Sequence, residues 1–191
     1  MIIEIVEALK ARTMATFEGR IAGAAEFAVI EPDAKLTMPC AYVILLDDAA
    51  EKNNSENGYS QLIQDSFAVI VLLSNEEDEI GKSSIAHIHP VRKVLNSALL
   101  LWNPDADHGP IEYNGGQLLS IDRARLYYQF EYSTDTLLDE SDTWQGIENV
   151  NLPPFERLHI DVDTINPHDP NLGATGPDGR IEASFDVEIP Q

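Results

Sequence analysis

The chain has 191 residues, 43% hydrophobic and 24% charged, and its 33 acidic against 12 basic side chains give a formal charge of −21. That length supports one domain, or one domain with an appendage, around a core of its own, and the hydrophobic fraction is too high for a wholly disordered chain. The charge argues against affinity for polyanions such as duplex DNA or an anionic membrane face. No apolar run approaches the ~18 residues of a membrane helix, and a lone Cys40 excludes an intrachain disulfide framework.

Along the chain, Ile2, Ile3, Val6 and Leu9 fall on one side of a helical wheel, which predicts a short amphipathic helix over residues 2–12. Glu4 and Glu7, with no basic segment ahead of the apolar residues, do not read as a secretory signal. Residues 17–39 show no period. Cys40–Leu46, bounded by Pro39 and Asp47, reads as a central strand, and residues 59–73 resume strand character after a polar stretch. The two predict a long hairpin with an acidic tip.

Residues 74–84 contain Glu76, Glu77, Asp78 and Glu79 and read as a solvated loop. Ile85, Ile88, Val91, Leu95, Leu99 and Trp102 recur at helical spacing, so a helix is expected here, beginning near Pro90 or kinked at it, and ended by Asn103-Pro104. Residues 111–119 read as a hairpin turning at Asn114-Gly115. Over residues 121–132 the alternation is clear. Ala124, Leu126, Tyr128, Phe130 and Tyr132 share one face, and Arg123, Arg125, Tyr127, Gln129 and Glu131 form a polar one.

Composition then shifts. Residues 133–191 hold 13 acidic and 2 basic side chains, a net of −11, whereas residues 1–132 carry −10 in more than twice the length. Prolines (Pro153, Pro154, Pro167, Pro170, Pro177) concentrate there too. The shift marks a boundary near Ser133–Asp142, with a core domain over 1–135 and an acidic, proline-rich extension over 136–191. The extension has two alternating segments, Leu158–Asp163 and Ile181–Ile189, which can pair but bury too little to stand alone. The expected fold class is α+β: a mainly antiparallel sheet with helices packed on one face, plus this C-terminal β-containing extension.

Motifs that carry chemistry are sparse. Ile80-Gly-Lys-Ser-Ser resembles the end of a phosphate-binding loop, but Glu76 stands where its first glycine belongs and the acids before it repel phosphate. His87 and His89 would share a face only on a strand; helical spacing separates them. Asp161, Asp163 and Asp169, with His168, alternate like the opening of a calcium loop, yet Ile165 occupies its fifth position. They remain weak candidates for a cation, and an alternating strand followed by a polar turn explains the same residues. Cys40, inside an apolar run, reads as a core thiol. No catalytic residue and no cofactor is assigned.

In their order, several stretches resemble the tail terminator proteins of long-tailed bacteriophages. They are Pro39-Cys-Ala-Tyr-Val, Phe67-Ala-Val-Ile-Val, Val91-Arg with Leu95, Leu100-Leu-Trp102-Asn-Pro104, Ile111-Glu-Tyr-Asn-Gly-Gly-Gln-Leu-Leu and Tyr128-Gln-Phe-Glu. The resemblance covers about residues 1–135. It implies a virion protein, assembled in the host cytoplasm, whose subunits close into a ring, usually a hexamer. That ring caps the tail tube at the head-proximal end, stops its polymerisation and presents the surface that joins the head. Its partners would be itself, the tail-tube protein and the head–tail connector, with no membrane. DNA would pass without specific binding, since like charges oppose contact over a Debye length of ~8–10 Å. On this reading Glu76, Glu77, Asp78 and Glu79 face the lumen, and Trp144, Phe155 and Phe185 are interface residues. Other head–tail connector or head-completion proteins, a calcium- or small-ligand-binding module, and a hydrolase using Asp161, Asp163 and His168 are the alternatives.

Overall fold

Phe67 to Leu73 is an unbroken apolar run because the strand that carries it is buried on both faces. The computed structural model describes residues 1–28, 36–75, 82–122, 124–163, 179, 181 and 183–188. They fall into two compact units, Met1–Gln145 and Gly146–Gln191. In chain order the elements are α1 (Ile2–Arg12), α2 (Met14–Phe17), β1 (Ile21–Gly23), α3 (Ala24–Ala28), β2 (Cys40–Ala50), β3 (Ser60–Ser74) and α4 (Lys82–Leu99). Then come β4 (Glu112–Ile121), β5 (Arg125–Asp139), a 3-10 turn (Glu140–Asp142), α5 (Trp144–Val150), β6 (Arg157–Val162) and β7 (Ala183–Glu188).

The first unit is built on a five-stranded sheet of order β1-β2-β3-β5-β4, parallel only between β1 and β2. The α+β expectation holds. β2 and β3 form the expected hairpin, and β3 pairs with β5 along its whole length, from Ser60 opposite Asp139 to Ser74 opposite Arg125. On one sheet face, Ala41, Val43, Phe67, Val69, Val71, Leu126, Phe130 and Tyr132 pack with Phe17 of α2 and residues of α1 and α4. Burying each of the large side chains contributes about 1.5–3 kcal/mol. The opposite face carries a smaller cluster of Cys40, Tyr42, Ile70 and Leu72, onto which Phe27 of α3 and Tyr127 pack. So the face expected to be polar is polar only in part.

α1 forms where the sequence places it, but its inward face is rotated. Ile5 and Leu9 are fully buried, whereas Ile3, assigned to the apolar face, is 75% exposed. The stripe that packs is the i, i+4 pair, flanked by half-buried Ile2 and Val6. Thr13 closes the helix: its N–H and its hydroxyl both donate to the Leu9 carbonyl, at 2.9 and 2.6 Å. Of the two expectations at Pro90, a helix start or a helix continuing through it, α4 takes the second. Pro90 removes one helical hydrogen bond, at a cost of about 3 kcal/mol, and the buried stripe Val91, Leu95, Ala98 and Leu99 offsets it. Two long-range contacts, invisible to any periodicity, fix α4. Arg12 donates to the Ala98 carbonyl at 2.6 Å while lying 4.3 Å from the Trp102 ring centroid. Tyr132 donates its hydroxyl proton to Asn96 Oδ1 at 2.9 Å.

The hairpin expected at Asn114-Gly115 does not form. Residues 112–121 are one strand, β4, antiparallel to β5, with register shifts between Tyr113 and Gly115 and between Leu118 and Ser120. Asn-Gly suits a bulge as well as a turn, and β5 offers a longer partner than any local pairing. The chain reverses later, at Asp122, whose Oδ1 accepts from the N–H groups of Ala124 and Arg125, each at 2.7 Å.

In the second unit, β6 and β7 pair antiparallel, as the alternation anticipates. Leu158 lies opposite Val187, Ile160 opposite Phe185 and Val162 opposite Ala183, so the ribbon has one apolar face.

Candidate functional site

Titratable groups converge most closely on the polar face of the β6–β7 ribbon. His159 Nδ1 lies 2.9 Å from Asp186 Oδ1 across the strands, and its Nε2 lies 3.0 Å from Asp161 Oδ1. Ser184 Oγ sits 3.3 Å from the same Nε2 and donates to Asp161 Oδ1 at 2.8 Å. Serine, imidazole and carboxylate thus meet, but the electrostatics favour a charged clamp over a nucleophile relay. The hydrogen bond to Asp186, then the charges of Asp161 and Asp186, raise the His159 pKa above its ordinary 6.5. When protonated, the imidazole donates to both carboxylates, and the serine proton points to Asp161, so this cluster holds two strands together. Sequence reasoning missed His159 and Asp186 because their juxtaposition depends on the register of two strands far apart in the chain.

Of the calcium-loop candidates, Asp161 is engaged in that clamp, and Asp163 Oδ2 accepts from the Gly179 N–H at 2.8 Å while Oδ1 is buried without a partner. Asp169 and His168 lie outside the described residues, as do Glu76, Glu77, Asp78 and Glu79. Among the described residues no group of three or more His, Cys, Asp or Glu side chains is arranged to hold a metal ion. His87 and His89 both fall on α4, the helical geometry that separates them. Cys40 is buried, and burial pushes its thiol pKa up.

Burial also pushes the neighbouring Tyr42 hydroxyl up, to about 12. A cleft of about 340 Å³ opens between α2, β3 and α4, floored by Met38, Pro39, Leu73, Pro90, Val91 and Val94. Its lining holds one titratable side chain, His87, and no acid–base pair.

The exposed apolar residues point to surfaces rather than cavities. Trp144 is 76% exposed in the first turn of α5, and Phe155 and Phe185 are exposed too. On β4, at the edge of the five-stranded sheet, Leu118, Leu119 and Ile121 face solvent. The opposite edge is incomplete among the described residues, where β1 accompanies β2 only as far as Val43 and no strand pairs with the outer side of Ile44–Ala50. Unpaired sheet edges and scattered large apolar side chains are what a subunit of an assembly presents. A ready-made chemical site is not among these features.

Comparison with known families supplies one match. A family model described as "Phage tail terminator protein" covers residues 3–142, nearly the whole of the first compact unit. No curated protein matches the chain.

Proposed function

The chain belongs to the phage tail terminator family and is a structural component of the phage tail, and from that premise we propose that it works as a closed ring, of six subunits, that caps the tail tube. The ring ends tube polymerisation and offers its other side to the head–tail connector; its role is mechanical and not enzymatic. The family match, which runs through the entire five-stranded sheet, carries this reading. The two open sheet edges support it, because a subunit that closes a ring needs two different surfaces, one for each neighbour. The net charge of −21 supports free passage of DNA through the lumen.

The segment beyond Asp142 lies outside the family match. We assign it to docking on a neighbouring subunit or on the connector, with exposed Trp144, Phe155 and Phe185 as anchors. Prolines in this segment restrict its unfolded conformations and so reduce the entropy lost on docking.

Electron microscopy of the purified protein, alone and mixed with tail tubes, tests the reading. Six-fold rings, and tubes that stop growing with a ring at one end, are expected. A protein that stays monomeric by light scattering at high concentration and also in the presence of tubes overturns it. A Trp144→Ala chain that forms rings yet caps tubes as well as the unaltered protein removes Trp144 from the interface.

A further inference from the structure

Two exposed strips of the first unit are opposite in charge and alike in form. The first lies on α4. His89, Arg92 and Lys93, with Asn96, Ser97 and Leu100, line a shallow groove on its solvent side. Some cations of the described residues are neutralised internally: Lys10 by Glu7, Arg20 by Glu18 and Arg157 by Glu188. Arg92 instead meets His89 Nδ1 at 2.8 Å, and among the described residues neither Arg92 nor Lys93 has a carboxylate partner. In a chain of net charge −21 an uncommitted cationic pair marks a place where an acidic surface can settle.

Past the end of α4, Leu100 and Leu101 are 37% and 82% exposed. Leu101 has φ of 61°, a left-handed conformation unfavourable for leucine, and its N–H is held by the Ile111 carbonyl at 3.1 Å. A large apolar side chain is thereby presented to solvent on a fixed backbone.

The second strip is on β2. Leu45 and Leu46 are 56% and 40% exposed, and Asp47 and Asp48 follow them, exposed and without ion pairs among the described residues. The segment begins just past the last residue paired with β1, so among the described residues no strand covers its outer edge, and the register with β3 shifts between Leu45 and Asp48. Each strip thus joins two leucines to two like charges, and the charges differ in sign. No ion pair among the described residues joins the strips within one chain. Complementary patches at different places on one subunit make a heterologous contact, the kind that closes into a ring.

We propose that the Leu45–Asp48 segment of one copy of this chain seats on the Arg92/Lys93–Leu101 strip of the next, leucines against leucines and carboxylates against cations. The inference rests on the ring reading and names its contact surfaces. Duplex DNA is the other anion that two cations could attract, but the remaining charge of the chain opposes it over a Debye length.

Sedimentation of the full-length protein across a concentration series, at low and high salt, tests the contact. The samples are the unaltered protein, Arg92→Glu with Lys93→Glu, Asp47→Lys with Asp48→Lys, and all four changes together. Each pair alone is expected to need about tenfold more protein to form rings, because like charges then face each other, and the fourfold variant is expected to regain assembly. High salt should weaken the rings of the unaltered protein. Both altered sites are on the surface, and each pair checks the other should one disturb folding. Rings that form at unchanged concentration in both double variants overturn the contact and leave the ring reading standing. An unaltered protein that never leaves the monomer overturns both. Salt-sensitive duplex DNA binding that vanishes in the Arg92/Lys93 variant assigns the strip to DNA and overturns the contact.

Discussion

The two strand systems of this protein obey the same alternation and end in different circumstances. In the first unit the inward residues of β3 and β5, such as Phe67, Phe130 and Tyr132, are buried under α1, α2 and α4. In the second, the apolar face of the β6–β7 ribbon stays open: Leu158, Ile160, Phe185 and Val187 are 43%, 40%, 54% and 46% exposed. Alternation therefore specifies a strand and the face its apolar residues take. It does not specify whether anything covers that face, which decides how much stability the face contributes.

Substituting matched positions breaks or sharpens this contrast. Phe130→Ala empties a fully buried site and is expected to cost about 3–5 kcal/mol, whereas Phe185→Ala should leave the unfolding of the first unit unchanged. Urea titration followed by Trp102 fluorescence and far-UV circular dichroism reads both. Equal losses from the two would show that the ribbon face is as well covered as the core.

A smaller effect is expected at β4. A Cβ on Gly116 would lie 2.8 Å from a Tyr128 ring carbon and 2.9 Å from the Gln129 carbonyl oxygen. Gly116→Ala should thus destabilise the sheet by about 1–3 kcal/mol, and the same assay measures it. Gly23→Ala is a control, since nothing lies within 4 Å of a Cβ built there.

Polar contacts at the margin of the first unit come next. Burial opposes ionisation of Asp105. The Met1 ammonium at 2.9 Å and the His108 imidazole at 2.6 Å outweigh that and hold its carboxyl well below the ordinary 3.8. A depressed carboxylate pKa stabilises the fold above the unfolded value, and the contribution disappears as pH falls below about 4 toward the folded value. Asp105→Asn should cost about 1 kcal/mol at pH 7, a difference from the parent that shrinks on acidification in melting experiments between pH 7 and 3.

The smallest effect belongs to the ribbon. A raised histidine pKa stabilises the paired strands below pH 6.5, and the contribution is lost as pH rises through the folded value. Amide exchange in β6 and β7, relative to a His159→Ala chain, should show added protection at pH 6 that has faded by pH 9. Protection independent of pH would mean that His159 does not clamp Asp161 to Asp186.

Much of the architecture could be read directly. The β2–β3 hairpin, the helix stripe through Val91, Leu95 and Leu99, the alternation of β5 and the pairing of β6 with β7 are all encoded in periods of 2 and 3.6, which are properties of short segments. The errors and the open choices share one cause. Asn114-Gly115 permits a turn or a bulge, and only the fifteen-residue partner β5 selects the bulge. Pro90 permits a helix start or a helix that runs through it, and only the buried stripe beyond it selects the second. Ile3 and Ile5 have equal claims to the α1 interior until the sheet fixes the rotation of that helix.

The same division holds for the surfaces that matter. From sequence alone came the charge of −21, the strand and helix periods and the order of motifs that resembles the tail terminator family. Tertiary structure decided the rest: which cations keep a partner, which leucines stay outside, and where β1 stops short along β2. The reason is physical. Hydropathy periods are fixed within a few residues by backbone geometry, whereas exposure, ion pairing and open edges depend on contacts between residues separated by tens of positions.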